Sequence, residues 1–211
     1  MLQGSSSAPP TYNVNSDIAL TVYNNQATGA TIQHPITGST HADASIQFVD
    51  DKTGLLNNAD DPSGLQIEEL FQTANKNSTL WSNLLWTSGG KLNATKCFFY
   101  FIYPRIDYPT RKHKYYTTNS HPGKICIPHP SSGGDQELPR FEPHQAKRTL
   151  GVHLAPNGSS TEQIKITLQK IRTYKGKITN CNLTTNLYWL AVKTILEPGV
   201  IYPLMATIYN H

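Results

Sequence analysis

The chain has 211 residues, of which 37% are hydrophobic and 15% charged, with a net charge of +4 and a mean hydropathy of -0.43. That length supports one or two domains with a real core. The polarity excludes a membrane span, since no window approaches the roughly 18 apolar residues one needs, and the Ser- and Pro-rich start resembles no secretory signal.

Together these features predict an intracellular protein that is not secreted. Cys97, Cys126 and Cys181 are odd in number and widely spaced, which predicts free thiols rather than a disulfide framework. Sequons beginning at Asn77, Asn93, Asn157 and Asn182 carry no weight without secretion. The charge is unevenly divided. Residues 1–90 are net -6 and residues 91–211 net +10, a split that suits a carboxylate site in one part and a surface for a phosphate backbone in the other.

In chain order, Val14, Ile18 and Val22 recur at helical spacing and predict a helix over 11–24 with an apolar stripe turned to the core. Residues 29–33 form a short strand, and residues 34–38 turn into a hairpin over 44–58. In that hairpin Ile46 and Phe48 alternate with Ser45 and Gln47, Asp50-Asp51 makes the turn, and Leu55-Leu56 begin the return. Residues 62–88 form an amphipathic helix, with Glu68 and Glu69 in its first turns and Gly89-Gly90 as its stop. Cys97 to Tyr103 is aromatic enough to read as a buried strand. Residues 104–147, rich in Pro and carrying Gly133-Gly134, read as an insertion, either an exposed hairpin or partly disordered. His121, Cys126 and His129 lie close together there, but with one Cys they fall short of a zinc site. Helices follow over 159–179, with Ile164, Leu168, Ile171 and Ile178 as buried stripe, and over 182–195. After an interruption at Pro198-Gly199 a third runs from Val200 onward.

Two adjacent carboxylates at a tight turn are most readily held there when a divalent cation neutralises them. Asp50 and Asp51 do not stand alone. The opening Gln3-Gly4-Ser5-Ser6-Ser7-Ala8-Pro9, the run Phe48-Val49-Asp50-Asp51, the segment Gly90-Lys91-Leu92-Asn93-Ala94-Thr95-Lys96 and the later Thr149-Leu150-Gly151-Val152 occur in one order. In that order they resemble the palm motifs of a reverse transcriptase, nearest to retrotransposon-type enzymes.

The resemblance implies an α+β fold. Residues 1–103 would be a partial palm, an antiparallel sheet with helices on one face. Residues 104–147 would be the insertion, and residues 148–211 a last palm strand with a thumb-like helical unit. It implies RNA-directed DNA polymerase chemistry with Asp50 and Asp51 as catalytic carboxylates holding Mg²⁺ or Mn²⁺. Gln3, Gly4, Phe48, Val49 and Lys96 would face the nucleotide and template, while Lys165, Lys170, Arg172, Lys175 and Lys177 would meet the nucleic-acid backbone. The implied partners are an RNA template, a DNA primer and dNTP, with no membrane. The first catalytic aspartate belongs to a strand upstream of the Gln-Gly motif, and Lys52 adds a cation beside the metals. The chain alone is therefore expected to be inactive, a fragment that needs upstream polymerase segments. The alternative is a non-catalytic nucleic-acid-binding remnant or interaction module.

Overall fold

The structure, a computed structural model, describes residues 8–48, 51–57, 67–128 and 134–204. It is mixed α+β, with several helices and small antiparallel sheets. The chain divides into two compact units, each built from two separate stretches. One comprises residues 1–99 with 118–140, the other residues 100–117 with 141–211. The stretch expected as one insertion contributes to both, because Ile125, Ile127 and Leu138 are apolar enough to join the first unit's core.

In the first unit, helix α1 (Ala8–Gln26) and helix α2 (Ile67–Thr87) enclose one of two clusters. There Tyr23, Ala44 and Trp81 are buried, flanked by Ala19, Ala27, Leu80 and Leu84. The second cluster joins Ala94, Ile125, Ile127 and Leu138, with Phe71 and Ala74 of α2 packed against it. Leu92 touches both.

Two asparagines of α2 take the place of backbone. Buried Asn77 donates to Thr28 O at 2.7 Å and accepts from Thr28 N at 3.3 Å, which ties the chain after α1 to the second helix. Asn75 accepts from Cys126 N at 2.6 Å and donates to Lys124 O at 3.0 Å. The short strand Cys126–Pro128 is thereby clipped to α2 while pairing antiparallel with Asp135–Glu137. At the end of α2 Gly89 has φ +81, and Gly90 N donates to Leu85 O while Gly89 N donates to Trp86 O, the six-to-one and five-to-two bonds of a Schellman stop.

Helix α1 does not bury the stripe its sequence suggests. Val14 and Ile18 are 59% and 58% exposed, whereas Tyr23 is 2% exposed. The turn that Tyr23 and Ala19 occupy faces α2 instead, because Tyr23 meets Trp81 edge-on at 5.5 Å.

In the second unit the hairpin Pro104–Asp107 with Lys112–Tyr115 is closed by Arg111 at φ +51 and a Lys114–Asp107 ion pair. Of the expected strand over 97–103, only Phe99–Tyr100 is strand. The rings of Phe101 and Tyr103 stack on each other and Tyr103 meets Tyr116 at 5.1 Å, so beyond Tyr100 ring contacts join the run, beside the bond that Tyr116 N donates to Tyr103 O.

The Leu150-Gly151 pair, expected within the last palm strand, is instead the turn of a hairpin, Lys147–Thr149 against Val152–Leu154. Leu150 and Gly151 both have positive φ, the two-residue turn that matches the twist of antiparallel strands. Helix α3 (Thr161–Asn180) buries Gln163 and Thr167 and leaves Leu168 exposed, so its inner face is rotated from the aliphatic stripe. Gln163 accepts from His153 N at 2.7 Å and donates to Thr167 Oγ1 at 2.9 Å, which satisfies the buried amide.

Pro198-Gly199 does not interrupt the last helices. Helix α4 (Thr185–Ala191) passes through a π turn (Val192–Leu196) into helix α5 (Glu197–Leu204). Glu197 N reaches back five residues to Val192 O, and the widened turn gives room to a proline that an α-register would set against the carbonyl four residues earlier.

Candidate functional site

The hairpin pairs Ser45 with Gly54, Ile46 with Thr53, Gln47 with Lys52 and Phe48 with Asp51. Only residues 49 and 50 connect the strands. Asp51 is thus the first residue of the return strand and is exposed. Leu55 and Leu56, expected to begin that strand, lie past its end. Val49 and Asp50 fall outside the described residues, as do Gln3 and Gly4.

The hairpin packs on both helices by its polar face, the reverse of the alternation expected. Ser45 is 7% exposed and Ile46 is 61% exposed. Ser45 Oγ donates to Asn24 Oδ1 at 2.9 Å, and Gln47 Nε2 bonds Ser16 Oγ. Lys52, paired with Gln47, shares this inner face. Its Nζ lies 3.3 Å from the centroid of Tyr23 and 4.4 Å from that of Trp81. Hydrogen-bonding partners on α1 for the inward polar positions make this face the better one to bury.

Successive strand residues point to opposite faces. The Lys52 ammonium therefore goes into the helices while Asp51 goes outward, and the cation expected beside the carboxylates is turned away from Asp51. Burial pulls the Lys52 ammonium down to about 7 and pushes the Tyr23 hydroxyl up. The attraction of both ring faces for a cation acts against the first of these shifts.

Asp51 offers the hard oxygen that Mg²⁺ or Mn²⁺ prefers. Among the described residues, however, no three His, Cys, Asp or Glu side chains gather closely enough to hold a metal ion. Asp50, the other carboxylate of the expected pair, lies outside the described residues.

Lys96 is exposed in the turn after α2, where Asn93 Oδ1 accepts from Thr95 N at 3.2 Å and from Thr95 Oγ1 at 2.7 Å. In that segment Leu92 and Ala94 fill the core while Lys91 and Lys96 stay in solvent.

In the second unit Lys165, Lys170, Arg172, Lys175 and Lys177 are all exposed on α3. At about 100° per residue they form two groups, Lys165, Arg172 and Lys175 on one side and Lys170 with Lys177 on another. At the foot of α3 an open cleft of about 560 Å³ is lined by His144, Lys147, Arg148, His153 and Glu162. Lys147 Nζ lies 3.7 Å from the centre of the Phe141 ring. No helix among the described residues is long and apolar enough to cross a membrane.

Two features, one in each unit, escape a reading of the residues alone, the aromatic clamp on Lys52 and the basic cleft. Alternation from Gln47 across the turn gives a signal for the first, since it puts Lys52 and Gln47 on one face. The second brings together residues from 144 to 162 that share no periodicity. No protein-family model, no curated protein and no solved structure matches the chain.

Proposed function

We propose that the chain is the palm and thumb part of a retrotransposon-type reverse transcriptase, an RNA-directed DNA polymerase that acts inside the cell on an RNA template, a DNA primer and dNTP. The observation that carries this reading is the hairpin, in which Asp51 opens the return strand on an exposed face opposite Phe48 while Lys52 is withdrawn. Asp51, with Asp50, would hold Mg²⁺ or Mn²⁺ together with a carboxylate from an upstream palm strand. Bound there, the metals would activate the primer 3′-hydroxyl and neutralise the leaving pyrophosphate.

The chain's own residues supply presentation and grip. The two helices fix the carboxylate-bearing strand, and the cations of α3 and of the cleft would engage the duplex backbone without regard to sequence. Phe48, Val49, Gln3, Gly4 and Lys96 take the nucleotide- and template-facing roles that the resemblance assigns. On this reading Asp50 and Asp51 hold the metals only together with a further carboxylate, and these residues alone are not expected to extend a primer. The exposed cations of α3 also fit a second reading, a nucleic-acid-binding remnant without catalysis.

Primer extension with Mg²⁺ separates the two. The chain by itself should not extend a primer. A fusion with an upstream aspartate-bearing palm strand should, and Asp50→Ala or Asp51→Ala in that fusion should abolish extension. Extension that survives either substitution overturns the catalytic assignment, and a silent fusion that still binds duplex selects the remnant.

A further inference from the structure

The return strand of the hairpin carries one long side chain directed inward. The stem of Lys52 reaches its Nζ to 3.3 Å from the Tyr23 ring centre and 4.4 Å from that of Trp81. Those rings come from different helices, α1 and α2, and meet each other edge-on with an interplanar angle of 82°. Among the described residues Lys52 makes no ion pair within 4 Å. On the other strand Ser45 and Gln47 bond Asn24 and Ser16 of α1. On the return strand Lys52 is the residue that engages both helices, and Asp51 precedes it on the opposite face.

We propose that Lys52 is a positioning residue for Asp51: clasped between Tyr23 and Trp81, it pins the return strand to both helices and so fixes the outward presentation of the Asp51 carboxylate. The proposal rests on the reading of Asp51 as a metal-binding carboxylate and adds the residue that sets its geometry. A strand without this anchor can roll, because a two-stranded ribbon by itself is marginal in water, and rolling by one position exchanges its faces. Length and contact with the rings are what the role demands. Methionine, an unbranched side chain that favours contact with aromatic rings, can serve it, and a short side chain cannot.

The test uses the full chain with residue-resolved amide hydrogen exchange and with Mn²⁺ alone as a paramagnetic probe. In the wild type the hairpin amides of 45–48 and 51–54 should be protected, and Mn²⁺ should broaden signals near Asp51 but not in Asp51→Asn. In Lys52→Ala, hairpin protection should fall about tenfold relative to α2, and the local broadening should fall at least threefold. Lys52→Met should restore both to within about twofold. If Lys52→Ala unfolds the unit, Lys52→Thr, which suits a strand but cannot reach the rings, takes its place.

Protection and broadening unchanged in the short variants overturn the proposal. Absence of localised Mn²⁺ broadening in the wild type, and again in the fusion with an upstream aspartate-bearing strand, refutes the metal-binding reading of Asp51, and the exchange data then decide the anchor on their own.

Discussion

Lys52 and Tyr23 are in direct contact, with the Nζ atom 3.3 Å from the centre of the phenol ring. Both groups are displaced by burial, the ammonium down to about 7 and the hydroxyl upward. An unfolded Lys52 titrates near its ordinary 10.5, so between about pH 7 and 10.5 the unfolded chain binds more protons than the folded one, and stability rises with pH across that window. Above about pH 10 Tyr23 acts in the opposite sense, since the unfolded phenol ionises first. Denaturation followed against pH should therefore show the first unit gaining on the order of 1–3 kcal/mol from pH 6 to 9 and losing again above pH 10. In Lys52→Met the rise should disappear, and an equal rise in that variant would count against the assignment.

Asn77 satisfies both backbone groups of Thr28. Asn77→Ala removes both bonds to the Thr28 backbone and should destabilise the first unit by about 1–2 kcal/mol in urea unfolding. Asn77→Asp keeps the acceptor but sets a carboxylate against Thr28 O, and it should restore little.

Gly123 lies where a Cβ would come within 2.2 Å of the Phe71 ring. Gly123→Ala should cost about 1–3 kcal/mol through overpacking. Combined with Phe71→Leu the cost should be less than the sum of the two single changes. Strict additivity in the double-mutant cycle would mean that the two sites do not touch.

Leu150 holds a left-handed conformation at φ +50, and its carbonyl accepts the Tyr202 hydroxyl at 2.7 Å. Leu150→Gly relieves the backbone strain and should raise the stability of the second unit by roughly 1 kcal/mol. Tyr202→Phe should lower it by about as much. Thermal unfolding of both variants reads the two signs.

Binding of duplex nucleic acid by the full chain should weaken steeply with salt. Replacing Lys165, Arg172 and Lys175 by Gln should reduce the slope of log affinity against log salt by about two to three, nearly independently of sequence. An unchanged slope would remove that face of α3 from the interface.

Element existence was legible wherever punctuation and period agreed. Helix α2 ends where Gly89-Gly90 marks it, and the hairpin turns beside Asp51 as its alternation predicts. The burying face was not legible. On α1, α3 and the hairpin the inward positions are Tyr23, Gln163, Ser45 and Lys52, which are polar or amphipathic. Each is acceptable inside only because a specific partner satisfies it, Gln163 through His153 and Thr167, Ser45 through Asn24 and Lys52 through two rings. Those partners are fixed by tertiary contact, which periodicity cannot carry. The Leu150-Gly151 pair reads equally as strand or turn until its neighbours Lys147–Thr149 and Val152–Leu154 are seen to pair with each other. The carboxylate pair was conspicuous in sequence, whereas the cation beside it could be placed only on the face of Gln47, and which face that is depends on the helices.

The first unit's core draws Phe71, Ala74 and Leu92 together with Ile125, Ile127 and Leu138, and residues 100–117 leave for the other unit in between. During synthesis Phe71 and Ala74 of α2 must wait for these partners until residue 138 has emerged, about 46 positions after Leu92, which at about 5–20 residues per second is a matter of seconds. A nascent chain stalled or cut after Tyr103 would hold α1, α2 and the hairpin with half of their core absent. The Asn75 clip would have no strand to receive, and such a product should be held by chaperones or aggregate rather than persist as a smaller domain.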